Sequence, residues 1–199
     1  MHRLGAVTSI VGAYLLVVAG AAQAHHGYDS IRPTGNYAAA CATSNFCQTD
    51  NTSFTYFSQA SLNSTSKTQV TATLNNQFDP TDLNVSLESP AVYTGGSETD
   101  TIYQIDPNAM PVGVSGVTWC DDPIDSSKCD QHYVAFYSDF WAQNITCHES
   151  GHSVGLTHGA QASPALSNTD SSLACMKTAD NYNSNGLGTH NVSQINGQY

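Results

Sequence analysis

Residues 148–158 read His-Glu-Ser-Gly-His-Ser-Val-Gly-Leu-Thr-His, the pattern H-E-x-x-H-x-x-G-x-x-H. No other stretch constrains the fold as much. Residues four apart share one face of a helix, so His148 and His152 must sit on one to point the same way. Gly155 can then take a positive φ, ending that helix and reversing the chain. Such a reversal returns His158 to the other two imidazoles. The spacing lets three neutral imidazoles reach one Zn²⁺ at about 2.0–2.1 Å, with one coordination position left for water. Glu149 is rotated by about 100° from His148, so its carboxylate can reach that water without binding the metal. The expected roles are His148, His152 and His158 as metal ligands and Glu149 as general base.

The helix carrying this pattern needs a start. Ser138 or Asp139 can cap one that begins at Phe140-Trp141 and runs to about Val154. Upstream, short alternating runs read as strands: Thr68 to Leu74, Leu83 to Leu87, Thr101 to Ile105, Val112 to Trp119 and His132 to Tyr137. Asp79-Pro80, Gly95-Gly96, Asp106-Pro107 and Asp122-Pro123 punctuate them. Residues 25–66 read as loop or short helix, with Phe54-Thr55-Tyr56-Phe57 as their apolar cluster. After Gly155 the sequence turns to loop for some 30 residues, and Asn191 to Gln198 fits a last short helix. Strands first, then one central helix, then a loop-rich end is an α+β layout.

The N-terminus reads as an address. Met1-His2-Arg3 is a short basic start, Leu4 to Gly20 is apolar or small, and Ala22-Gln23-Ala24 matches a cleavage site. This is the three-part pattern of a secretory signal over residues 1–24, and the apolar run is short for a membrane anchor. The expected mature chain, 25–199, is a single domain with no later membrane span. Export suits the cysteines. Six cysteines in an exported chain suggest three disulfides, although fifteen pairings are possible. Proximity favours Cys41–Cys47 and Cys120–Cys129, which leaves Cys147–Cys175.

Charge narrows the partners. With 5 Lys and Arg against 16 Asp and Glu, the formal net charge is −11. Nucleic-acid binding of the usual electrostatic kind needs clustered basic residues and is excluded, as is a polybasic membrane surface. A protein or peptide substrate and a monomer are expected. Asp121, Asp122, Asp125 and Asp130 cluster around the Cys120–Cys129 loop; Ca²⁺ is a possible ligand there, against the blander reading of a solvated acidic loop. His132 reads as a strand residue, and His190 as a residue at a helix start.

The segment 148–158 resembles the zinc signature of the metzincin metallopeptidases, whose third histidine follows a glycine turn. That family has a methionine in a tight turn beneath the zinc, and the resemblance gives this part to Met176 in Ala174-Cys175-Met176-Lys177. Over residues 140–199, including His190 to Asn196, the chain is similar to small secreted bacterial matrixin-like peptidases. The resemblance implies a mixed, twisted sheet above the active-site helix, a loop-rich C-terminal part with the Met-turn, and a terminal helix. It also implies an antiparallel edge strand for substrate, with Val114 to Trp119 as the candidate. Gly159 follows the third histidine and matches none of the best-known subfamilies. Thr178 stands where astacin-like members carry a tyrosine ligand. The implied activity is a secreted zinc endopeptidase. Two other readings stay open: a non-catalytic secreted protein that keeps zinc for stability, and a zinc hydrolase of cell-wall peptides. Glu149 argues against the first, because a structural site does not need that carboxylate.

Overall fold

In the computed structural model, residues 27–32, 40–43, 46–178 and 186–199 are described. The signal expected at 1–24 lies outside them. The strands are β1 (Gln48–Thr49), β2 (Ser53–Ser58), β3 (Asn84–Leu87), β4 (Thr101–Ile105), β5 (Gly116–Pro123) and β6 (Lys128–Phe136). The α-helices are α1 (Ser64–Thr73), α2 (Asp139–Ser153) and α3 (Thr189–Gln198). Together the strands make a six-stranded sheet in the order β1-β6-β4-β2-β3, with β5 also paired to β6. Among the described residues, β5 with β6 is antiparallel, from Gly116 opposite Phe136 to Pro123 opposite Cys129. The pairs β1–β6, β2–β3, β2–β4 and β4–β6 are parallel. The result is a mixed α/β fold with a mostly parallel sheet.

Two expectations change here. Thr68 to Leu74 is not a strand; it lies in α1 and in the π-helical turn Leu74–Phe78 that follows. Its polar–apolar alternation is matched by a helical spacing that wins: Ser66, Val70, Thr73 and Leu74 are buried along one face. Asn63 caps the helix, its side chain accepting from Ser66 N at 2.8 Å. Phe54-Thr55-Tyr56-Phe57 is not loop or short helix but most of β2, flanked by β3 and β4. A helix between β2 and β3 is what permits their parallel pairing, since parallel neighbours need a long crossover. The strands-then-helix order behind the α+β layout therefore gives way to an interleaved one.

The other elements fall close to their expected places. Leu83 to Leu87 gives β3 from Asn84 on, Thr101 to Ile105 gives β4, and His132 to Phe136 falls in β6, which starts earlier, at Lys128, and ends before Tyr137. The fourth run starts as a strand only at Gly116. Before it, Gly113 takes φ +83° and Val114 N donates to Pro111 O at 3.1 Å, closing a turn. Helices α2 and α3 start within two residues of the expected points.

The core lies between the sheet and α1 and α2. Phe54 and Tyr56 of β2, Tyr103 of β4, and Val134 and Phe136 of β6 pack with Val70, Leu74, Phe78, Ala142 and Ile145. Each strand contributes alternate residues, as one face of a sheet requires. Leu156, Leu173, Met176 and Ile195 close the same core from the C-terminal side. No helix among the described residues is long and apolar enough to cross a membrane.

Candidate metal centre

Three disulfides cross-link the described residues. Cys41–Cys47, Cys120–Cys129 and Cys147–Cys175 have Cα separations of 5.6, 5.8 and 6.0 Å. These are the pairings that proximity favours. The first two pack on each other in a small separate cluster.

Helix α2 carries His148, Glu149 and His152, all buried. It ends where the sequence requires: Gly155 has φ +91°, and its N–H donates to His152 O at 3.0 Å. Gly155 O accepts from Arg32 N, and Ile31 bridges Leu156, so the segment 27–32 braces the reversal. His158 then returns to the helix. The Nε2 atoms of His148, His152 and His158 stand 3.1 Å from one another in all three pairs.

The ring orientations follow from their other nitrogens. His148 Nδ1 lies 2.7 Å from Cys175 O, and His152 Nδ1 lies 2.8 Å from Leu156 O. A carbonyl can only accept, so each Nδ1 carries the proton and each Nε2 presents a lone pair to the centre. Burial holds His148 down at about 4 and His158 at about 3, the latter also lowered by His148. Burial and then the neighbouring imidazoles hold His152 well below the ordinary range. All three are neutral at neutral pH, as imidazoles able to hold a metal must be. Nitrogens bound tetrahedrally at about 2.0–2.1 Å stand about 3.3 Å apart, so the observed triangle fits one zinc-sized ion with little adjustment.

Glu149 projects beside this triangle. The Thr118 hydroxyl of β5 lies 2.8 Å from Glu149 Oε2 and 2.9 Å from Glu149 O. Burial pushes the Glu149 carboxyl up to about 7, against the lowering effect of the Thr118 contact. Gly116 keeps this corner open, since a Cβ there would stand 2.5 Å from Ile145 Cδ1 and 2.9 Å from Glu149 Oε1. The cleft over the histidines, about 350 Å³, runs along Ser115 to Thr118 and is also lined by Phe46 and Thr178. Among the described residues β5 pairs only with β6.

Met176 is fully buried under α2. A Cβ at residue 151 would overlap its Sδ, so Gly151, inside the histidine motif, exists to let the methionine reach the helix backbone. Ala174 takes φ +52° in this turn, and Cys175 both bonds Cys147 and offers its carbonyl to His148. Gly155 and Met176 thus shape the site without lying among the donors.

The other singled-out histidines stay apart from it. His132 is buried in β6. His190 sits in the first turn of α3, with Nε2 2.9 Å from Ser30 Oγ. Sequence reasoning missed Phe46, whose ring lies 4.5 Å from that of His152 and 5.2 Å from that of His158. It missed Thr118 as the partner of Glu149, and Tyr103, whose hydroxyl lies 2.6 Å from Ser150 Oγ and ties β4 to the motif helix. No periodicity marks these residues; their roles come from where the sheet places them.

The chain matches no protein-family model, and no curated protein matches it.

Proposed function

We propose that this chain is a secreted zinc endopeptidase of the metzincin kind. One observation carries the reading: three buried Nε2 atoms 3.1 Å apart, with the Glu149 carboxylate beside them in a cleft under β5. A structural zinc is usually closed by four protein ligands; here three imidazoles converge, and the adjoining carboxylate is a base. Zinc held by these residues would supply Lewis acidity, acidifying a water and polarising a carbonyl.

The chain's own groups do the rest. Glu149 takes the proton of the attacking water and delivers it to the leaving amine. Thr118 fixes the carboxylate, its hydroxyl 2.8 Å from Glu149 Oε2. Among the described residues the outer edge of β5 carries no other strand, and an extended peptide could add there, which suits an endopeptidase better than a hydrolase of small amides. The signal-like N-terminus and three disulfides support export to an oxidising compartment.

The test is cleavage of an unfolded protein by the purified chain, with two variants at known zinc content. Glu149→Ala should retain one zinc and lose about 10²–10⁴-fold in kcat, the usual worth of a general base. His152→Ala should lose the metal. A zinc-loaded wild type that cuts nothing, or a Glu149→Ala chain that cuts as fast, would end this reading.

A further inference from the structure

The start of β5 carries an apolar groove beside the histidine cleft. Val112, Val114 and Tyr137 are exposed, and with Pro107, Met110 and Trp141 they line a hollow of about 460 Å³. The ring of Phe140, also exposed, stands edge-on to that of Trp141 with centroids 5.1 Å apart. Among the described residues no charged side chain lines this hollow. Its wall is held by backbone bonds. Asp106 N donates to Phe136 O at 3.1 Å and Tyr137 N donates to Ser115 O at 2.9 Å, which pins both ends of the wall to the end of β6. Between them the Asp106 side chain accepts from Asn108 N, and Val114 N closes on Pro111 O. Apolar side chains kept exposed around a fixed hollow mark a place where another apolar group binds.

The surroundings say which group. Pro111, Gly113, Val114 and Ser115 line both this groove and the histidine cleft, so the two form one continuous trough. Along the trough runs β5, which among the described residues pairs only with β6. A peptide added to its free edge gains slightly more per residue in the antiparallel sense. That sense carries the C-terminal half of the peptide past Gly116 toward the groove. Val114 lies four positions before Thr118, the residue that holds Glu149. At about 3.3 Å per residue, Val114 is within about 13 Å of that point.

We propose that this groove is a subsite for one large apolar side chain of the substrate, on the leaving-amine side and about three to five residues beyond the scissile bond. The inference rests on the endopeptidase reading above. The groove makes the preferred substrate an extended, apolar-rich polypeptide rather than a short peptide. Binding this far from the reacting bond serves to hold the chain in register along β5, so peptides too short to reach the groove lose turnover as well as affinity.

The experiment uses quenched fluorescent peptides that are identical around the cleaved bond. Each carries either phenylalanine or serine at one position, from the second to the sixth residue after the cut. For the zinc-loaded chain, kcat/KM should favour phenylalanine by about tenfold at one of the third to fifth positions, the scale of partly burying one aromatic ring. Val112→Asp and Tyr137→Ser should each bring that ratio below about threefold, with one zinc and the wild-type circular dichroism retained. Val112 is at the surface, so its variant decides the matter if Tyr137→Ser does not fold. The same sequences with a single dye, titrated with zinc-loaded Glu149→Ala and read by fluorescence anisotropy, give Kd values without turnover. A phenylalanine preference in Kd that Val112→Asp removes, in a chain whose wild type cuts nothing, would end the endopeptidase reading and leave the groove as a peptide site. Cleavage with no preference at these positions, a preference located before the cut, or a ratio that Val112→Asp does not move would overturn the proposal and leave that reading standing. A dimer in sedimentation velocity that Val112→Asp dissolves would also overturn it, because the groove would then be a contact between two copies.

Discussion

Gly151 shows how far a single position can be set by its surroundings. It stands between His148 and His152 on α2, where glycine costs about 1 kcal/mol of helix propensity relative to alanine. The methionine beneath explains it: a methyl group at this position meets Met176 Sδ. Gly151→Ala should therefore destabilise the fold by about 1–3 kcal/mol despite its better propensity, as overpacking does, and should loosen metal binding by lifting the helix. Chemical denaturation and a zinc competition titration check both effects. Gly155 was legible from the sequence because a reversal was needed there. Gly151 was not, because nothing along the chain says what lies under it.

At the scale of elements, the strong signals were local ones. A candidate start at Ser138, the paired histidines and a glycine stop mark α2 within the chain itself, and the structure places that helix there, with Ser138 at the N-cap position but without a capping hydrogen bond from its side chain. Helix α1 was misread because the threonines of Thr68 to Leu74 alternate with apolar residues, and only burial along Ser66, Val70 and Leu74 decides between the two periods. β2 was missed because its neighbours on both sides come from later in the sequence. β6 carries a further consequence of burial. His132 is fully buried, and neither ring nitrogen makes a hydrogen bond of ordinary geometry. Burial lowers it to about 4, from an ordinary value of about 6.5 in the unfolded chain. A depressed value means stability that is present above pH 6.5 and lost as pH falls toward 4, because the unfolded chain takes the proton first. His132→Leu should therefore gain about 2 kcal/mol more at pH 5 than at pH 8, as measured by urea unfolding of both chains at each pH.

Across the whole molecule, the site draws on distant parts of the chain. Phe46 comes from the first disulfide loop, Thr118 from β5, two of the histidines from α2, and the floor from a turn after residue 170. Sequence could name the donors, because their spacing is local, but not this second layer, which is assembled by the parallel sheet. The bond between Cys147 and Cys175 closes a loop with a sequence separation of 28 directly beside His148. Replacing both cysteines with alanine should cost about 3 kcal/mol in stability and weaken metal binding as well. Thermal unfolding with and without zinc separates the two losses.

That same turn has a consequence for how the chain is made. The carbonyl that orients His148 lies 27 positions downstream, in a turn that a disulfide ties to α2. A chain emerging from its N-terminus exposes all three histidines before that turn exists. The three donors therefore precede, in order of synthesis, the carbonyl that sets the His148 ring.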